Sequence, residues 1–149
     1  MATSNVFQVV EATIADIHAA YQSGDLTARQ LVQMYLDRIE AYDSNGPKIN
    51  AVIALNPRAL DEADRLDAAL KEGGFVGPLH GIPVSMKDQG DIDGMAMTLG
   101  SVLFKDFMPG RDAFVVARLK DAGAILVAKA APGGPRGGAA HGSLFGSVR

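Results

Sequence analysis

The sequence predicts a mixed α/β fold. Three observations predict it. Short apolar runs of strand length alternate with longer segments whose apolar residues recur at helical spacing. Capping residues stand where those helical segments begin, and glycines stand where they stop. From Asp112 to Lys129 a helical pattern passes through Gly123 straight into a continuous apolar run, the order expected of an α/β protein.

The first helix is expected to start after Thr13, with Asp16 three residues on, and to carry Ile14, Ile17, His18 and Tyr21 on one side until Ser23-Gly24. A second begins in the same way. Thr27 and Gln30 form a capping box, and Leu31, Met34, Tyr35, Arg38 and Ile39 line one face up to Asp43-Ser44-Asn45-Gly46-Pro47. Ala51 to Leu55 reads as a strand, and Asn56-Pro57 reads as the N-cap and first residue of a third helix, which ends at the C-cap glycines Gly73-Gly74. Ile82 to Met86 is strand-like. Because Pro83 cannot donate a ladder hydrogen bond, that strand either starts there or has an unpaired edge. Gln89 to Met95 has the Gly and Asp content of an irregular loop. Asp112 is placed as the cap of a helix over 113–122, closed by Gly123, and Ala124 to Lys129 as a buried strand. From Ala130 the chain turns to APGGPRGGAAHGSLFGSVR, too rich in Gly and Pro for regular structure over most of its length. A buried strand followed by such a tail is expected to leave a sheet edge uncovered.

The chain has 149 residues, 48% of them hydrophobic and 21% charged, the composition of a soluble globular protein. Its net charge of −3, with both signs interspersed, gives nothing that attracts a phosphate backbone, so no direct nucleic-acid partner is expected. Cysteine is absent, which excludes a thiolate nucleophile, a disulfide framework and a Cys-ligated metal. The opening residues Met1 to Asn5 lack a basic region leading into an apolar core, and no apolar run approaches the roughly twenty residues of a membrane span. No membrane association and a cytoplasmic location follow as expectations.

Among the polar side chains Lys87 stands out, since it follows an apolar strand rather than lying on a helix surface. Desolvation at such a place disfavours the ammonium, so the neutral amine could serve as a general base. The bland alternative is a solvated lysine paired with Asp88 or a helix carboxylate. Ser85, two residues earlier, would share a strand face with Lys87, which leaves a Ser-Lys nucleophile and base pair as a smaller alternative. His18, His80 and His141 show no spacing that would surround a metal, and the two in loops read as solvated. GGPRGG lacks the Gly-Lys-Ser/Thr that would complete a phosphate cradle, and Ser143 and Ser147 have no nearby base in sequence. No cofactor and no metal are expected.

The run GPLHGIPVSMKD, from Gly77 to Asp88, resembles the strand and lysine segment of the amidase signature family: Gly-Pro-Leu-His-Gly-Ile-Pro, a few apolar residues, then Lys-Asp. GMAMTLGS (94–101) and DAFVVARLKDAGAILVAK (112–129) resemble further family segments, as do SGDLTARQLVQMYLDRIEAYD and INAVIALNPRALDEADRLD upstream. The resemblance implies the N-terminal part of the amidase signature fold, with helices packed around the start of a mixed central sheet. It also implies hydrolysis of a carbon–nitrogen amide bond by a triad of lysine, a bridging serine held after a cis peptide bond, and a nucleophilic serine. Lys87 matches the lysine. No serine here matches either other position, so a fragment inactive by itself is implied, and Ser85 falls in a variable stretch with no family role. Gln89 stands where Asn is usual, Ala96-Met97 where Pro-Thr is usual, and the family's Thr-Asn-x-x-Glu is missing after Ala130.

The expected organisation is a single incomplete amidase domain over 1–149: an opening helical region (1–50), an α/β segment with the lysine (51–129) and a Gly-rich tail (130–149). The implied partner is a small-molecule amide substrate, and a homodimer or an amidotransferase-type complex is compatible. The alternative from another class is a non-catalytic small α/β binding protein or subunit.

Overall fold

The computed structural model describes residues 7–131, together with 141–142 and 146–147. Helix α1 (Ile14–Ser23) starts at a reciprocal capping box between Thr13 and Asp16, and its chain reverses at Gly24 in the left-handed conformation. Helix α2 (Ala28–Arg38) has the same device, Thr27 with Gln30. It then widens into a π-helical turn over Ile39–Ser44, at whose end Asp43 accepts the amide hydrogens of Ala51 and Val52 and so sets where strand β1 (Val52–Leu55) begins.

Helix α3 (Ala59–Gly73) begins two residues later than the sequence suggests. Asn56 does not cap it. Its side-chain amide donates to the Leu126 carbonyl and its Oδ1 accepts from Arg58 N, so the side chain ties the strand-to-helix turn to the sheet. Strand β2 (Pro83–Lys87) does begin at the proline, helix α4 spans Phe114–Asp121, and β3 spans Ile125–Ala130. Asp112 is likewise not the cap of α4: its carboxylate is taken by Asp93 N and the Lys120 ammonium, leaving Ala113 at the cap position. A charged partner within reach outcompetes an amide at the helix end.

The sheet order is β1-β3-β2, with β1 antiparallel and β2 parallel to β3. The buried strand β3 is therefore central, with both edges paired. The uncovered edge expected beside it is instead borne by its neighbours among the described residues, and the proline of β2 lies on such an outer strand. Helices α1 to α3 bury Ile17, Tyr21, Leu31, Val32 and Ala63 against Ile125 and Val127 on one face. Val116 of α4, with Ile92 and Met95, covers Leu126, Val84 and Met86 on the other. The alternation along β3 feeds two cores at once, which is why the run is apolar without a break. In the tail, β4 (His141–Gly142) and β5 (Gly146–Ser147) form a two-residue antiparallel pair. The GGPRGG stretch and Ser143 lie outside the described residues, as do the side chains of His141 and Ser147.

Candidate functional site

Lys87 is the last residue of β2. Val84 and Met86 turn into the core under α4, so Ser85 and Lys87 share the opposite face, and both are exposed. Their side-by-side placement follows from the two-residue strand period. The Lys87 carbonyl accepts from Gly90 N, while its side-chain amine makes no hydrogen bond or ion pair with any described residue.

The expected partner, Asp88, has gone elsewhere. It is fully buried, and its carboxylate accepts from Thr98 N at 3.1 Å and from Thr98 Oγ1 at 2.7 Å. Across from it lies Lys129 of β3, also fully buried, with its ammonium 3.8 Å from Asp88 Oδ1. The same ammonium donates to the Ala96 carbonyl at 2.9 Å and to the Asp88 carbonyl at 3.3 Å. Burial pulls the Lys129 pKa below its ordinary value, against the opposing pull of Asp88 and Asp91. In sequence Lys129 is only the end of an apolar strand; the signal it carries is that of a lysine inside a pattern otherwise buried on both faces.

His80 is a correction to the reading of it as a solvated loop residue. It is fully buried, its ring 5.1 Å from that of Phe75 and edge-on to Tyr21. Val76 N donates to Nδ1, so in the neutral ring the proton sits on Nε2, which finds no acceptor among the described residues. Gly123, with φ of +91°, packs directly on the His80 backbone. His18 is half-buried, and its Nε2 is 3.0 Å from the His80 carbonyl. No group of three or more potential metal ligands occurs among the described residues. None of their helices is long and apolar enough to cross a membrane.

A cleft of about 450 Å³ lies away from Lys87, lined by Arg58, Glu62, Arg65, Asp93 and Lys120 among others. Its charges are largely spoken for: Arg58 donates to the Asp93 carbonyl and Lys120 pairs with Asp112.

Comparison with known proteins gives these arrangements a context. The family model described as Amidase matches residues 30–146. The chain is 41% identical over 123 residues to a Glutamyl-tRNA(Gln) amidotransferase subunit of Alkaliphilus metalliredigens, covering 82% of this chain and 24% of that protein. The native peptide amidase of Stenotrophomonas maltophilia superposes with a TM-score of 0.87 at 39% identity, over 93% of this chain and 30% of that one. An amidase family protein from Bacillus anthracis superposes with a TM-score of 0.86 at 30% identity, over 94% of this chain and 29% of that one. The chain thus spans about a quarter of the length of the curated relatives it matches.

Proposed function

The chain belongs to the amidase family, and we propose that it forms the lysine-bearing part of an amide-bond hydrolase in which Lys87 is the general base of a Ser-Ser-Lys triad. One observation carries the reading: the family match runs through Lys87, which stands at a strand end with its amine unpaired by any described residue. In this mechanism the neutral amine takes the proton of a bridging serine, and that serine takes the proton of the nucleophile as it attacks the carbonyl. No serine among these 149 residues matches either serine position of the triad, so on this reading they are expected to be inactive on their own. An apolar stretch at Leu99, Val102, Leu103, Phe104, Phe107 and Met108, all exposed, supports a fold that more polypeptide covers.

The test is a chimera in which this chain replaces the matching segment of the Stenotrophomonas maltophilia peptide amidase, assayed on simple amides. Turnover is expected to survive the exchange and to fall about 10²- to 10⁴-fold on Lys87→Ala. Undiminished turnover in that variant overturns the role of Lys87. Lysine-dependent turnover by the 149 residues alone would instead place the nucleophile within them, with Ser85 the first to mutate.

A second reading, membership of a multi-protein assembly, is favoured by the Alkaliphilus metalliredigens relative being named as a subunit.

A further inference from the structure

Neighbouring lysine and aspartate side chains can pair, as Lys105 and Asp106 do in this chain. Lys87 and Asp88 do not. The Asp88 carboxylate points to the α4 side of the sheet, where Thr98 donates to it twice and the Lys129 ammonium stands 3.8 Å away. Lys129 comes from the central strand, in register with Met86, and it also holds the main chain of the Asp88 loop at two points, the carbonyls of Asp88 and Ala96. One buried cation thus fixes both the side chain and the backbone of the residue that follows Lys87.

We propose that Lys129 is a positioning residue for Lys87: by retaining Asp88 on the inner face of the sheet, it leaves the Lys87 amine without a carboxylate and therefore free to act as a base. The proposal rests on the catalytic reading of Lys87 given above. A buried carboxylate robbed of its cation must take up a proton or turn to another cation, and Lys87 is the next one along the chain. Once paired, the Lys87 ammonium would hold its proton more tightly and lose its use as a base. The charged groups that act on Lys129 are Asp88 and Asp91, both from the loop after β2. Lys87 has no ion pair among the described residues, so a carboxylate arriving there meets no competitor from them.

The experiment reads the amine directly. The 149-residue chain is labelled with trace acetic anhydride at about pH 8, and the acetylation rate of Lys87 is measured by mass spectrometry relative to exposed Lys71 on α3. Only the neutral amine reacts, so a proton held more tightly shows as slower labelling. Lys129→Met is expected to slow Lys87 by about three- to tenfold, and Asp88→Asn/Lys129→Met to restore it to within about twofold of the parent. An unchanged rate in folded Lys129→Met overturns the proposal, as does equal slowing in the double variant, which would trace the effect to lost structure rather than to the carboxylate. If Lys129→Met does not fold, Asp88→Asn decides: its Lys87 rate should equal the parent's, and faster labelling would show that Asp88 already acts on Lys87. Because the labelling needs no turnover, an inactive chimera with the shift present rejects the catalytic reading alone.

Discussion

At the scale of single residues, two buried polar side chains make the sharpest predictions. The Lys129–Asp88 pair lies in the interior, where removing one partner strands a charge. Lys129→Met is therefore expected to cost about 3–5 kcal/mol in urea denaturation, and the neutral double variant Asp88→Asn/Lys129→Met to recover much of it. His80 is held neutral in the fold, chiefly by burial and further by the charge of His18, with Asp67 opposing, so its pKa lies below the ordinary 6.5. The unfolded chain binds this proton first as pH falls. The stability contributed by neutral His80 is therefore fully present above pH 6.5 and is lost as pH drops below it toward the folded value. Urea midpoints measured from about pH 7 downward should decline accordingly, and His80→Gln should flatten the decline. An equally steep decline in that variant would assign it to other groups. His80 reads as solvated from sequence, and Lys129, though inside the strand read as buried, carries no sign there of its pairing with Asp88; a lysine and a histidine are most often solvated, and only the packing around them shows otherwise.

At the scale of elements, local signals and long-range competition separate cleanly. Thr13 with Asp16 and Thr27 with Gln30 form the boxes read from sequence, because each needs only residues three apart on the same turn. Thr27→Ala should lower stability by about 1 kcal/mol by chemical denaturation. Asn56 and Asp112 look equally like caps, yet Leu126 and Lys120 claim them, and both helices begin without a side-chain cap. Gly123 closes α4 as read, but the reason it must be glycine is tertiary. A Cβ there would stand 2.8 Å from the His80 Cα, and the residue lies at φ +91°. Gly123→Ala is expected to cost roughly 1–3 kcal/mol, seen as a lowered melting temperature.

At the scale of the whole molecule, the apolar surface sets the behaviour. Leu103 is 86% and Phe114 83% exposed, and Phe104, Phe107, Met108 and Val115 lie exposed between or beside them in sequence. Surfaces of this kind mark sites where more protein packs. The isolated chain should bind a hydrophobic dye and self-associate, and Leu103→Glu with Phe114→Glu should reduce both while leaving circular dichroism unchanged. A parent chain that stays monomeric and dark with the dye would count against an amidase part awaiting its covering chain.

The sequence by itself determined the order of the main elements, the two capping boxes, the burial of β3 and the family, since periodicity, caps and motifs depend on residues close together in the chain. Only the tertiary structure decided that β3 is the central strand, that His80 is buried, and that Asp88 belongs to Lys129 rather than to Lys87. Such choices depend on which of several competent partners the fold brings within reach, and partners separated by 41 residues compete on equal terms with neighbours only once the chain has folded.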